Sequence, residues 1–276
     1  MTFYSKLSAD LEGKLPSSVL ELLPRSYFQV GDVLTVKLHR KLLPKRKAIG
    51  AAIKRTLPYV RSVLLIKDIK GTERKPKTEV IAGSRKTETV HKEHGCFFAL
   101  DPAKIMWSKG NKDERKRMTL IAGRGENVVD MFAGVGYWTI PLAKLGKALS
   151  IKAIDLNPVA VRYLRKNIGL NRLANVEIIR GDCRKQAGRL AGSADRVIMG
   201  WLYGNEKFLP AALKMAKDGA IIHFHDLSTE KDVPKRLDRL KDIAAHEGCF
   251  LEVDDIQLVK GYSPGINHYV YDIIKS

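Results

Sequence analysis

From about Phe97 onward, short apolar runs alternate with segments of helical spacing, and this alternation restricts the possible folds more than any other feature of the chain. Val128–Phe132, Ser150–Ile154, Val176–Arg180, Arg196–Gly200 and Ala220–His225 read as strands. Between them lie helical segments: Tyr137–Lys144, Pro158–Leu170, Phe208–Lys217 and Val233–Glu247. In the second of these, Val161, Leu164 and Ile168 share a face and Pro158 stands near the start, where a helix tolerates proline. Phe250–Val259 and Tyr269–Ile274 read as a final hairpin. The pattern predicts an α/β fold: a doubly wound, mostly parallel sheet ending in an antiparallel hairpin. In such sheets ligands sit beyond the carboxyl ends of the strands, at the switch point.

The chemistry-bearing residues fall at those ends. Val128–Phe132 runs into Ala133-Gly134-Val135-Gly136, where glycines allow a tight turn and a close backbone approach. Asp155 closes the next strand, placed to accept two ribose hydroxyls. Asp182-Cys183 follows the third strand, where a carboxylate can take an adenine amino group. A dinucleotide site asks for the spacing GxGxxG, but the third glycine position is Thr139. S-adenosylmethionine has no pyrophosphate to cradle, so it is the expected cofactor. Tight turns and a helix-capping aspartate explain the glycines singly, though not acidic strand ends in series.

The first 95 residues read differently. A partly extended helical stretch carries Leu7, Leu11, Leu15, Val19, Leu20 and Leu23, then come a turn at Gly31-Asp32 and a strand at Val33–Leu38. A helix over Lys45–Leu57 precedes a strand at Val63–Ile66. Thr78–Gly83 and Thr87–Glu93 read as a pair of strands around a glycine turn. We therefore expect a small basic α+β domain at 1–95, binding nucleic acid, and a cofactor-binding catalytic domain at 96–276. Basic loops are expected at Lys41–Lys47 and Arg74–Lys77. The chain holds 49 Lys and Arg against 30 Asp and Glu, a net charge of +19, which points to a polyanionic partner. Cys96, Cys183 and Cys249 are far apart and no CxxC occurs, which argues against zinc ribbons, iron–sulfur clusters and disulfide scaffolds; no metal is expected. Without a signal-like segment or a membrane-length apolar run, the expectation is a soluble, cytoplasmic protein with no membrane association.

Asp130-Met-Phe-Ala-Gly-Val-Gly, Asp155-Leu-Asn-Pro-Val-Ala-Val and Lys166-Asn-Ile-Gly-Leu-Asn171 resemble the archaeal and eukaryotic enzymes that modify purine 37 of tRNA beside the anticodon. The likeness extends upstream through Thr87–Asp101 and Lys104-Ile-Met-Trp-Ser108, and downstream to Val259-Lys-Gly-Tyr-Ser-Pro-Gly265, covering roughly residues 30–276. The resemblance implies a class I methyltransferase-like Rossmann domain behind the small α+β domain. Two branches share that framework: the tRNA guanine-37 N1-methyltransferases, and the wybutosine-pathway tRNA 4-demethylwyosine aminocarboxypropyltransferases. The methyl branch carries an Asn-Leu-Pro-Lys-like motif after the fourth strand, where this chain has Met199-Gly200-Trp201-Leu202. Ser108-Lys-Gly-Asn-Lys-Asp-Glu-Arg115 also resembles the aminocarboxypropyl branch. That branch implies transfer of the 3-amino-3-carboxypropyl group to carbon-7 of 4-demethylwyosine at position 37 of phenylalanine tRNA, with methylthioadenosine released and no obligate protein partner. The alternative is guanine-37 N1-methylation.

By resemblance, Ser108, Arg115, Phe132, Gly134, Asp155, Asp182 and Cys183 bind the cofactor, with Arg115 or Ser108 at the arm's carboxylate or nearby backbone. Ser108 could equally cap a helix, and Arg115 lies in a run, Lys112–Arg117, that could be a solvated helix face. Attack by a ring carbon requires loss of its proton. His223, His225 and Asp226 stand at the end of the fifth strand, but ordinary hydrogen bonding suits the two histidines better, and the catalytic residues stay unassigned. Trp201 and Tyr203 could stack a flipped base or pack inward. Lys37–Lys47 and Lys109–Arg117 are candidate phosphate contacts.

Overall fold

Leucines at helical spacing begin the chain: Leu7 and Leu11 bury one face of α1 (Phe3–Leu11), which Thr2 caps by accepting the Ser5 amide. A short α2 (Ser17–Leu20) follows. β1 (Phe28–Val30) turns through Gly31 into the antiparallel β2 (Val33–Val36). α3 (Arg46–Thr56) then crosses to β3 (Ser62–Lys70), so β2 and β3 run parallel, and β4 (Lys75–Gly83) completes the order β1-β2-β3-β4. Gly50 makes the crossover tight, since a Cβ there would lie 2.7 Å from the Ile81 carbonyl oxygen. Leu7, Leu34, Ile49, Ile53, Val63, Leu65 and Ile81 form the core of this layer. The computed structural model describes residues 1–71 and 75–276. Of the second basic loop, Arg74 lies outside the described residues, and 75–77 open β4 instead of a loop.

The expected pairing of 78–83 with 87–93 does not occur. β4 pairs with the nine-residue β3, and residues 89–93 form β5 (Thr89–Glu93), which pairs with β6 (Cys96–Leu100). Gly83, at φ +79, ends β4 instead of making a hairpin: a Cβ there would lie 2.1 Å from the Arg61 carbonyl oxygen. The actual hairpin turn is His94-Gly95, both at positive φ, the backbone that two-residue hairpins favour. The chain divides into two units, residues 1–92 with 97–109, and residues 93–96 with 110–276, so the hairpin tip groups with the second unit.

In the second unit, α4 (Lys112–Ile121) leads to β7 (Asn127–Asp130), α5 (Thr139–Leu145), β8 (Ser150–Asp155), α6 (Pro158–Leu170), β9 (Val176–Arg180) and α7 (Cys183–Gln186). β10 (Ala194–Met199), α8 (Leu209–Met215), β11 (Ala216–Ser228), α9 (Val233–His246), β12 (Leu251–Ser263) and β13 (Ile266–Lys275) complete it. The seven-stranded sheet has the order β12-β13-β11-β10-β7-β8-β9. β7, β8, β9, β10 and β11 are parallel, and β13 enters antiparallel between β11 and β12. The chain leaves β7 toward β8 and β9, then returns on β7's other side as β10. The switch point therefore lies over the carboxyl ends of β7 and β10.

A line of buried charge joins α4 to this sheet. Arg117 takes Glu114 in a two-pronged contact, 2.8 Å on each prong, and reaches Asp272 at 2.7 Å. Asp272 bonds His223 Nδ1 at 2.5 Å from directly across the β11–β13 ladder. Arg196 meets the other ring nitrogen of His223 and pairs with Glu126 at 2.6 and 2.9 Å. The Lys112–Arg117 run is thus not a solvated face, because Glu114 and Arg115 are buried. Burial alone would raise the Asp272 carboxyl, but His223 and Arg117 outweigh it and hold it at about 2. Asp272→Ala would leave Arg117 with Glu114 alone and the buried Nδ1–H of His223 without its acceptor. It is expected to destabilise the protein by about 3–5 kcal/mol, the cost typical of breaking such a pair, as measured by urea unfolding.

Candidate active site

The loop after β7 is held from three sides. Gly134 and Gly136 have φ of +58 and +98. The Gly134 amide donates to Asp155 Oδ2 at 2.7 Å, while Asp155 Oδ1 accepts the Asn157 amide at 2.8 Å. Asn167, buried in α6, donates to the Val135 carbonyl at 2.8 Å. A Cβ on Gly136 would lie 2.4 Å from Ile140 Cγ1 and 3.0 Å from Leu164, so only glycine lets the loop sit this close to α5 and α6. α6 starts where the sequence predicts, with the Asn157 side chain accepting the Val159 amide and Pro158 in the first turn.

Several expected site residues come together here. Phe132, Gly134 and Asp155 line the ends of β7 and β8. The Gly181 amide donates to the Asp155 carbonyl at 3.0 Å, bringing the Asp182-Cys183 corner beside them. Asp182 accepts the Arg184 amide at 3.0 Å, capping α7, and pairs with the Arg184 guanidinium, which holds its carboxyl below the usual range. Burial pushes the Cys183 thiol up to about 12, so it serves as a neutral, apolar wall. Ser108 belongs to the first unit, just before the short 3₁₀ turn Lys109–Asn111. It does not cap α4, whose preceding residue is Asn111. Arg115 is 1 % exposed and grips Glu93 of the hairpin tip with two bonds, at 2.6 and 2.9 Å. The charge expected at the cofactor's carboxylate thus also has a partner within the fold.

Each of the three candidates for proton transfer has a partner within the fold, although the buried Nε2 of His225 has none among the described residues. An arginine nitrogen can only donate, so His223 must accept from Arg196 through Nε2 and carry its own proton on Nδ1, toward Asp272. It is therefore neutral, as its burial also dictates. His225 bonds His268 at 3.0 Å beneath the Trp138 indole, and burial keeps both imidazoles uncharged near neutral pH. Asp226 is paired with Arg236 at 2.7 Å.

Sequence reasoning missed other contributors. A Cβ on Gly200 would lie 2.3 Å from Trp138 Nε1, so the bare glycine at the end of β10 makes room for the indole. Asn205, also buried, donates to the carbonyls of Met199 and His225 at 2.9 and 3.0 Å, anchoring the loop after β10. Phe132 stands 5.0 Å from Phe208 and 6.2 Å from Trp201, ring centre to centre. None of these carries a local signal beyond glycine's size and the aromatic spacing.

Asp130, under the glycine loop, accepts Thr139 Oγ1 at 2.7 Å and the Phe132 amide at 3.3 Å. Burial, with the nearby Asp155 charge adding to it, raises this carboxyl to about 7 against the lowering effect of those bonds. A raised folded-state value means the protonated form adds stability at about pH 4 and below, a contribution lost as pH rises to about 7. Asp130→Asn cannot titrate. Its stability relative to the natural protein is therefore expected to rise between pH 4 and 7 in urea unfolding, and a flat difference would refute the assignment.

Comparison with known proteins places these features in a lineage. Residues 89–253 match the TRM5/TYW2 methyltransferase domain, and residues 7–87 the TYW2 N-terminal domain. A tRNA(Phe) (4-demethylwyosine(37)-C(7)) aminocarboxypropyltransferase of Methanocaldococcus jannaschii is 44% identical over 248 residues, 89% of this chain and 96% of the relative. The structure of Pyrococcus horikoshii TYW2 in complex with MeSAdo superposes with a TM-score of 0.86 at 36% identity, over 99% of this chain and 98% of that one. That of M. jannaschii TYW2 in complex with AdoMet does so with a TM-score of 0.74 at 39% identity, over 91% and 99%. With its glycine loop, its Asp155 junction and both domain matches in the expected order, the chain belongs to the TRM5/TYW2 family.

Proposed function

We propose that this protein is a tRNA aminocarboxypropyltransferase, moving the 3-amino-3-carboxypropyl group of S-adenosylmethionine to carbon-7 of 4-demethylwyosine at position 37 of phenylalanine tRNA. The observation that carries this reading is the 44% identity to an enzyme of that name, spanning nearly all of both chains. The Met199-Gly200-Trp201-Leu202 strand end supports it, since the residues of the methyl branch's motif are replaced by a glycine and an indole. The acceptor carbon forms its bond to the methylene carbon that joins the 3-amino-3-carboxypropyl group to sulfur, as that carbon–sulfur bond breaks. The electron pair stays on sulfur, giving methylthioadenosine, and the acceptor carbon's proton passes to water or a base. Bound S-adenosylmethionine supplies the positively charged sulfur that makes this bond breakable.

The residues of the second unit suit that donor. The glycine loop brings bare backbone to the ligand face, and Asp155 offers carboxylate oxygens to ribose hydroxyls. Phe132 and Cys183 give apolar surface to the adenine, and Asp182 an acceptor for its amino group. The first unit, with Lys41, Lys45 and Lys47 beside α3, binds tRNA phosphates in our reading, and the enzyme works in the cytoplasm, where tRNA is met. Among the described residues, no helix is long and apolar enough to cross a membrane.

Two measurements test this reading. With tRNA bearing the tricyclic base, label in the carboxyl carbon of S-adenosylmethionine is expected to move to tRNA and methyl label is not. Methyl label entering tRNA with adenosylhomocysteine released would transfer the assignment to the methyl branch. Asp155→Ala is expected to weaken S-adenosylmethionine binding at least tenfold by calorimetry, since charge-assisted hydrogen bonds contribute about 1.5–3 kcal/mol each. Unchanged affinity would remove Asp155 from the ribose.

A further inference from the structure

Three aromatic rings stand in a row where the loop after β10 meets the tip of the β12–β13 hairpin. The Trp201 indole is fixed by its own N–H, which donates to the Tyr203 carbonyl at 2.8 Å. Trp201 and Tyr203 lie 6.0 Å apart, centre to centre, and Tyr203 and Tyr262 lie 6.4 Å apart, with their hydroxyls hydrogen-bonded to each other. At its inner end the row continues to Phe132, at the mouth of the glycine loop. At its outer end Tyr203 is 41% exposed and Tyr262 40%. Water competes for an exposed hydroxyl pair, so this contact contributes little to folding, and the rings leave apolar faces in solvent. The loop that carries them is nonetheless rigid, anchored by Asn205 to the carbonyls of Met199 and His225 and turned by Gly204 at φ +56. Neighbouring rings meet edge to face, at 70° and 77°, so these exposed, fixed rings form an angular notch beside the ligand loop, with a face for a flat group and edges to flank it.

We propose that Trp201, Tyr203 and Tyr262 form the seat of the acceptor base, an angular notch in which one ring offers its face and its neighbours their edges, and that the Tyr203–Tyr262 hydroxyl contact clasps two distant chain segments into it. This rests on the transfer function above and names the part of the site that holds its nucleic acid substrate. The ligand class is a nucleobase flipped out of a loop. A fused tricyclic base stacked on one ring reaches further toward the edge of the next than a two-ring purine does, so the seat favours the modified base. Stacking of one base on an aromatic surface changes affinity by about tenfold or more. It does not depend on phosphate neutralisation, so its loss leaves the salt response unaltered.

The test uses the full chain with W201A, Y262A, W201F and the hydroxyl-deleting Y262F, each checked for natural thermal unfolding. W201A and Y262A are expected to raise the KM for tricyclic-base tRNA about tenfold or more at both low and high salt. The dissociation constant for S-adenosylmethionine should stay within twofold. Y262F keeps the ring and loses the clasp, and should raise KM less than Y262A does. Tryptophan fluorescence of the natural protein should be quenched by tricyclic-base tRNA more than by unmodified tRNA, and W201F should lose that difference. KM unchanged in W201A and Y262A, or an equal quench in W201F, would overturn the seat. If a variant fails to fold, the W201F fluorescence comparison and Y262F still decide. Should the natural protein transfer no aminocarboxypropyl group while the quench remains specific, the reaction assignment fails and the seat stands.

Discussion

Asp155 is the junction on which the ligand face of the second unit depends. One carboxylate oxygen receives the Gly134 amide and the other the Asn157 amide, so the end of β8, the loop after β7 and the start of α6 are tied at a single side chain. Its own carbonyl takes the Gly181 amide, which adds the end of β9. Asn167 then reaches back from α6 to the Val135 carbonyl. Four segments separated in sequence meet through bonds that join a backbone group to the side chain of Asp155 or Asn167 or, at Gly181, to another backbone group. The loop is therefore held in its ligand-facing shape by the fold itself, which is the form of preorganisation that lowers the cost of binding.

Much of this was legible in the sequence because its causes are local. The spacing, the capping Asn157 and the proline at 158 give α6 to the residue. Glycines that only glycine can replace mark the loop, and acidic residues at successive strand ends mark the ligand face. What failed to show depends on contacts between distant residues. The buried duty of Arg117 rests on Asp272, 155 positions away, and nothing in a basic run reveals it. The hairpin at 89–100 escaped notice because its turn uses His94 at positive φ, where a glycine or asparagine would have been the signal. Trp138 and Gly200 fit each other, yet the fit is invisible until β7 and β10 lie side by side.

The buried histidines illustrate how titratable groups at a strand end can be tied into the packing of the fold. His223 stands directly opposite Asp272 in the β11–β13 ladder. A slip of one residue would turn the two to opposite faces, breaking the His223–Asp272 bond and taking Asp272 from Arg117. The chain of charge thus couples the register of the antiparallel strands to the seating of α4. Buried ion pairs give little net stability, and their attested use is to select one arrangement over its neighbours.

The close fit of Gly200 against Trp138 also bears on how this lineage can change. A side chain gained at 200 collides with the indole, while trimming the indole first leaves a void beside His225. Either single step lowers stability, by overpacking in one order and by a cavity in the other. A path from this strand end to one bearing a polar side chain therefore crosses a fitness valley, unless stabilising changes elsewhere come first. Descendants of such an ancestor would tend to keep the glycine and the indole together or to lose both, so each position constrains the other.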